Sequence, residues 1–588
     1  MVKKLIKNGK SILFSEQSSV LSAASLIMAM VIVAKVLGFI RQRVLFTHFS
    51  PAETDLFLAA FELPDILFEV LVFGTMSAAF IPVFSRYIRA KKIQEAWDMA
   101  RSSLTIILAA YTVLSLIVFV FANSAYEFLA GNFFKDLIGV GGGFSSEGVQ
   151  TVVSLTRILL FSQLFFVVSS FMTGILESHK RFLFPAIAPL VYNLGIIVGI
   201  VFLSPHYGLL GPVLGAFIGA FGHLLVQAPI AYHLGFRFKL MWNVKDEGVR
   251  ELFKLAGPRI LELSVFQIKR IVWLFLGSLA VGGFTYLKSA DLLQTLPVSV
   301  FGISLAKAAL PTLSQQASDK NKTKFKKTFF TTVNQILFLV IPLSALLIVL
   351  RVPVVRLVFG AEQFDWQATI STSYALSAFA IGASAYAASL LVTRAFYALH
   401  DTRTPVSISV ATVFINAILG FVFVLAFDTG PWGIALSYSI AGIIQFILLL
   451  TIILRRLQAR FRRFIVPVLK MIFAAVVSGL AMRFMIRLFD RSVWVKQLSF
   501  LSRQEALQAL PFERFVLDTR YSGNLLILTV IVGIVGIILY FLILLLLRSE
   551  EVWTFLGFAR RLLVKRSIAP IPEKEGEQIA PSPTDSTT

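Results

Sequence analysis

Apolar stretches of about 20 residues recur along almost the whole of this 588-residue chain. Each is long enough to cross a hydrocarbon core roughly 30 Å thick. In lipid every backbone N–H and C=O must find its partner inside one segment or in a closed barrel, so runs of this length specify helices and exclude a porin-like barrel. The runs predict spans near 20–41, 55–84, 98–122, 151–176, 183–203, 209–234, 258–280, 286–314, 329–350, 369–398, 406–427, 433–454, 464–488 and 523–547, about fourteen in all. A mean hydropathy of +0.82 with 15% charged residues rules out an ordinary soluble protein. Residues 11–33 are too long an apolar run for a secretory signal and show no small-residue cleavage site, so they read as a retained first span.

The net charge of +22 invites a nucleic-acid reading, and its distribution argues against one. With the N-terminus inside, the termini and the loops after even-numbered spans hold most of the 54 basic residues, including "RYIRAKK", "KNKTKFKK" and "RRLQARFRR". That asymmetry is the positive-inside pattern, and it predicts a multi-pass protein with both termini in the cytoplasm and no nucleic-acid partner. The absence of cysteine removes disulfides, thiolate metal sites and cysteine nucleophiles. The six histidines are scattered without an HExxH pair, so neither a metal site nor a cofactor has support. "GVGGGFSS" (139–146) lacks the lysine of a phosphate-binding loop and reads as a flexible linker. No grouping of nucleophile, base and oxyanion donor is visible, so a transporter is expected rather than an enzyme. Its energy would come from a coupling cation, the membrane potential or the substrate gradient.

An internal repeat is visible as two echoes. "LPDILFEVLVFGTMSAAFIP" (63–82) shares LP, then FG, then alanines and a closing proline with "LPVSVFGISLAKAALP" (296–311). "TGILESHKRFLFP" (173–185) matches "TRAFYALHDTRTP" (393–405) with Thr and Pro at identical separation. Both map six spans onto the next six, and an even number means that the halves share one orientation. The expectation is an all-α membrane protein of two parallel six-helix lobes around a central cavity. The N-lobe is 20–236 and the C-lobe 250–456, after a cytoplasmic N-terminus at 1–19; an accessory helix pair occupies 464–547 and a cytoplasmic tail 548–588. In the external loop 489–522, "RQEALQALPFERF" reads as an interfacial helix, and the tail reads as disordered from about 567.

Ionisable residues at mid-bilayer cost several kcal/mol unless paired or wet, so each is a functional candidate. They cluster on four helices: Lys35 and Arg41 on span one; Asp55, Glu62, Asp65 and Glu69 on span two; Glu262, Lys269 and Arg270 on span seven; Lys288, Asp291 and Lys307 on span eight. At about 100° per residue, positions 55, 62 and 69 form one stripe with 65 beside it. The carboxylates admit two readings, either buried ion pairs that fix helix register or partners in a transport path. Lys35 and Arg41 read as functional, because cations in a cleft suit a phosphorylated ligand. Arg43, Asp55, Lys288 and Lys307 lie near span ends, where snorkelling is the simpler account.

The segments "AKVLGFIRQ", "TDLFLAAFELPDIL", "GILESHKRFLFPAIAPLVYN", "FGISLAKAALPTLS" and "RAFYALHDTRTPV" resemble the recurring motifs of the MurJ (MviN) family, lipid II flippases of the MOP exporter superfamily, over roughly 20–455. The resemblance implies a bacterial inner-membrane protein of peptidoglycan synthesis that moves an undecaprenyl-pyrophosphate-linked precursor outward by alternating access, with the last two helices forming a groove for the lipid tail. It implies basic cavity residues for the pyrophosphate, which Lys35 and Arg41 match. Gln42 stands where the family has an acid, Phe68 or Glu69 where it has a span-two Arg, and Leu292 where it has the Arg of "ADRL". Lys269, Arg270 and Lys288 are the candidates to replace the missing cations. Glu62, Asp65 and Glu69, with Asp55, Glu262 and Asp291, would serve as cavity acids or in coupling. Other readings of the residues are a flippase for a different polyprenyl-linked glycan, a cation-coupled exporter, or a scaffold that binds cell-wall synthesis proteins without transport.

Overall fold

The computed structural model describes residues 20–129, 143–319, 321–459, 461–490 and 521–553. Among them the backbone is helical apart from turns, short loops such as 236–243, and an isolated bridge between Ala361 and Phe364. The long helices are α1 (Val20–His48), α2 (Pro51–Arg89), α3 (Ile93–Leu129), α4 (Ser146–Ser178), α5 (Leu183–Tyr207), α6 (Leu210–His233), α7 (Glu247–Ser278), α8 (Gly283–Ser318), α9 (Lys322–Val349), α10 (Trp366–Ala398), α11 (Arg403–Ala426), α12 (Pro431–Leu457), α13 (Arg462–Phe489) and α14 (Ser522–Leu546). A short helix, Arg351–Phe359, follows α9. By length and composition, 11 of the long helices are apolar enough to cross a membrane. That measure takes in described residues only and leaves out α1, α2 and α7, each of which includes side chains outside the described residues, so the expected count of fourteen is not confirmed by it. The expected interfacial helix in 489–522, most of the glycine-rich linker, the N-terminal 19 residues and the tail from 554 lie outside the described residues.

Helices begin where capping chemistry dictates. Before α2, the Ser50 amide donates to Glu53 Oε2 at 2.9 Å and the Glu53 amide donates to Ser50 Oγ at 3.3 Å, a reciprocal capping box. The two sequence echoes become structure. Lys180 and His400, 220 residues apart, both take left-handed φ near +60° just after a helix end. At one turn the Arg181 amide donates to the Leu176 carbonyl, and at the other the Asp401 amide donates to that of Phe396. This is the same Schellman closure. The FG echo marks a second shared feature: π-helical turns at Glu69–Phe73 and Met76–Phe80 in α2 recur at Val298–Ile303 in α8.

Packing follows the same period. α1 packs on α5 as α7 packs on α11, and α4 packs on α6 as α10 packs on α12. Close approach in the first lobe depends on glycine. A Cβ on Gly215 of α6 would lie 2.6 Å from the Gly195 carbonyl oxygen and 2.8 Å from Gly199 Cα on α5, so no larger residue fits this crossing. The accessory α13 and α14 pack on each other and on α9. The Tyr540 hydroxyl donates to the Phe338 carbonyl at 3.1 Å and ties α14 to the second lobe.

Three apolar cores position the site. One draws on both lobes, joining Leu45, Phe46 and Phe57 to Phe284, Phe359, Phe364 and Phe379 at the end of the bundle that carries the α1–α2 and α7–α8 turns. At the opposite end the lobes have separate cores. One is built from α2, α3 and α4 with the first turns of α7, and the other from α8, α9, α10, α12, α13 and α14. Apart from α7, whose first turns join the first lobe's core and whose Glu251 pairs with Arg86 of α2, the lobes share a core at one end and have separate ones at the other.

Candidate functional site

Between the lobes lie two cavities. The larger, about 520 Å³, is lined by Glu69 of α2, Lys269, Arg270 and Trp273 of α7, Lys288 and Asp291 of α8, and a polar wall from α11 and α12 that includes Ser409, Asn416 and Gln445. The smaller, about 270 Å³, is lined by Lys35, Arg41, Gln42 and Leu58 together with Lys288, Asp291 and Leu292. Lys288 and Asp291 are common to both, so α8 forms the shared wall.

The acidic stripe of α2 converges on a single guanidinium. Arg270 Nε donates to Glu62 Oε2 at 2.7 Å, Nη1 to Glu69 Oε1 at 3.0 Å and Nη2 to Asp65 Oδ2 at 3.2 Å. Spacings of 62, 65 and 69 place three carboxylates on one face, and the planar fork of arginine is the side chain that reaches all three. Lys288 Nζ lies 2.6 Å from the other Glu62 oxygen. Gln163 of α4 donates to Asp65 Oδ1 at 2.8 Å and Gln267 donates to Glu69 Oε2 at 3.1 Å. The network crosses the lobe boundary; its carboxylates and guanidinium are paired, while the side-chain oxygens of Gln163 and Gln267 are buried without a hydrogen-bond partner.

Other cations in the site have no carboxylate within ion-pair distance among the described residues. Lys269 places its ammonium 4.4 Å from the centroid of the Trp273 ring and 4.9 Å from that of Tyr438, an aromatic seat that leaves its charge uncancelled. Lys35 and Arg41 border the smaller cavity.

The remaining candidates sit elsewhere. Asp55, for which snorkelling was the simpler account, is 2% exposed. Its Oδ1 accepts from the Thr285 amide at 2.6 Å, so it caps the start of α8 across the lobe boundary. Lys288, given the same account, lies inside the ion cluster. Arg43 donates to the Leu357 carbonyl at 2.5 Å, and Lys307 is exposed. Gln294 donates to Asp291 at 3.2 Å. The Glu262 side chain lies outside the described residues. No group of His, Asp and Glu able to hold a metal occurs among the described residues. The sequence reading missed Gln163, Gln267, Trp273, Tyr438, Asn416 and Gln445. A signal existed for Trp273, which stands one helical turn from Lys269; for the amides there was only polarity inside apolar spans.

The family described as lipid II flippase MurJ matches residues 46–502. A probable lipid II flippase MurJ of Vibrio cholerae is 27% identical over 435 residues, which cover 73% of this chain and 82% of the relative. One from Haemophilus influenzae is 25% identical over 486 residues, covering 80% and 93%. A solved structure of lipid II flippase MurJ in an inward closed conformation superposes with a TM-score of 0.67 at 23% identity, over 89% of this chain and 99% of that one. An inward-facing multidrug MATE transporter of the MOP superfamily gives 0.59 at 16% identity, over 72% and 94%. These likenesses extend the two-lobed helical fold beyond one family. Because the match over 46–502 takes in most of both lobes and the whole lining of the larger cavity, the chain belongs to the lipid II flippase MurJ family.

Proposed function

We propose that the chain moves lipid II across the bacterial cytoplasmic membrane by alternating access, with Lys269, Lys35 and Arg41 holding the diphosphate. The observation that carries this assignment is the division of the cavity cations. Arg270 and Lys288 are neutralised by the α2 carboxylates, whereas these three border the cavities without an acidic partner. Among the described residues, an anion entering the cleft meets positive charge without a carboxylate partner there. Arg270 is a register device in this reading, tying α2 to α7 and α8.

The positive-inside pattern supports cytoplasmic termini, which makes the separated end of the lobes the cytoplasmic one and the shared core the external seal. The exposed apolar faces of α13 and α14, including Leu469, Phe473, Val476, Ile534 and Ile538, support a role as the track for the lipid tail. Coupling would fall to the cluster of Glu62, Asp65 and Glu69 or to the membrane potential.

The test is transbilayer movement of lipid II in proteoliposomes. Lys269→Gln and Arg41→Gln should each lower the rate at least about tenfold with folding intact, the scale of one lost charge-assisted contact. Rates equal to the parent in both variants would refute the assignment of the diphosphate site.

A further inference from the structure

A cavity of about 1050 Å³ lies away from the cleft, where the starts of α9 and α13 meet the ends of α12 and α14. Five cations line it, Lys326 and Lys327 of α9, Arg462 and Lys470 of α13, and Arg548 just past α14, against two acids, Glu550 and Glu551. The Glu551 carboxylate is already engaged, accepting from Asn334 Nδ2 at 2.9 Å and from Ser549 Oγ at 2.6 Å. Lys470 Nζ donates to the Leu547 carbonyl at 2.8 Å and closes the end of α14. Lys326, Lys327, Arg462 and Arg548 make no ion pair among the described residues. Three separate chain segments thus bring unspent positive charge into one concave site.

The surroundings define the ligand. The site sits at the helix ends, at the boundary of the apolar region, and Val466 and Pro467 of its wall continue into an exposed apolar face of Leu469, Ile472 and Phe473 on α13. A soluble anion would use the charge and leave that face bare, whereas an amphiphile uses both. We infer that this pocket binds an anionic glycerophospholipid of the adjacent leaflet, its phosphate among Lys326, Lys327 and Arg462 and its acyl chains along α13. Such a lipid would hold the accessory pair against α9.

The test uses the full chain in a neutral detergent, titrated with phosphatidylglycerol, phosphatidylcholine or inorganic phosphate, with bound lipid counted by native mass spectrometry and thermal stability followed in parallel. Phosphatidylglycerol should bind and stabilise, and Lys326→Gln/Lys327→Gln should weaken its affinity at least about tenfold. Lys322→Gln/Lys324→Gln removes the same charge from the same helix outside the pocket, and should leave affinity within about twofold. Equal loss in both variants would reduce the effect to general surface attraction and overturn the site. Binding unchanged in the pocket variant, phosphatidylcholine binding as well as phosphatidylglycerol, or stabilisation by inorganic phosphate alone would each overturn it too. Arg462→Gln is the second variant if the α9 pair fails to fold.

Discussion

Arg270→Gln is the substitution that most directly separates architecture from transport. Among the described residues the guanidinium is the sole cationic contact of Asp65 and Glu69, and it shares Glu62 with Lys288, whose ammonium is 2.6 Å away. The Glu62 side chain is 4% exposed and that of Asp65 35%, while that of Glu69 is 46% exposed and well screened. Removing one partner of a buried pair costs about 3–5 kcal/mol because the other charge stays behind, whereas an exposed pair is worth about 1 kcal/mol or less. The loss in Arg270→Gln should therefore be about 3–5 kcal/mol, arising at Glu62 and Asp65. Glu69→Gln should cost about 1 kcal/mol at most. Adding Asp65→Asn to Arg270→Gln removes one stranded carboxylate, so the double variant should recover about 1–3 kcal/mol relative to additivity. Denaturant unfolding of the purified protein in detergent, read by tryptophan fluorescence, closes the cycle. Arg270→Gln as stable as the parent, or a strictly additive double variant, would refute the claim that this cluster holds α2 against α7.

Four further outcomes follow from particular contacts. Asp55→Ala removes the acceptor of the Thr285 amide and should cost about 1 kcal/mol; disulfide formation between cysteines introduced at Phe46 and Gln363, whose backbones are 3.0 Å apart across the lobes, should fall with it. The chain has no cysteine of its own, so that readout has no background. Gly215→Val should abolish the monodisperse peak in size-exclusion chromatography, while Gly38→Ala, with nothing within 4 Å of the added carbon, should leave it unchanged. In the α10–α11 turn, burial pushes the Asp401 carboxyl up, but hydrogen bonds from the Thr404 amide and hydroxyl, with the Arg456 guanidinium 2.5 Å away, hold it below its ordinary range. A depressed folded value stabilises above the unfolded value of about 3.9 and is lost as pH falls through the folded one, so Asp401→Asn should lower the unfolding temperature at pH 7, and the difference from the parent should shrink as pH falls through that depressed folded value.

The helical class and the six-helix period were legible because each rests on a constraint that acts along the chain. Apolar length sets a membrane helix, and a Schellman turn needs only its own few residues, so "GILESHK" and "AFYALHD" announce the same closure wherever the helices later pack. The acidic stripe was legible for the same reason, since 62, 65 and 69 share a face by helix geometry alone. What the stripe meets was not, because that depends on the relative rotation of α2 and α7. A rotation of α7 by one residue, about 100°, would exchange Arg270 with Lys269 and put the lysine among the carboxylates. Two adjacent cations in "QIKRIV" thus meet opposite surroundings, Arg270 among carboxylates and Lys269 against aromatic rings. The deciding feature is Trp273, which shares the face of Lys269 and, with Tyr438 of α12, gives that ammonium a seat that does not cancel its charge. If the seat keeps the charge available, replacing the aromatic surface should alter transport without touching any ion pair. Trp273→Leu, which keeps an apolar residue in the buried position, should reduce lipid II movement while leaving the Arg270 ion pairs in place, at a stability cost of about 2–4 kcal/mol for the cavity it opens. Transport at the parent's rate in Trp273→Leu would mean that the position of Lys269 does not depend on the ring.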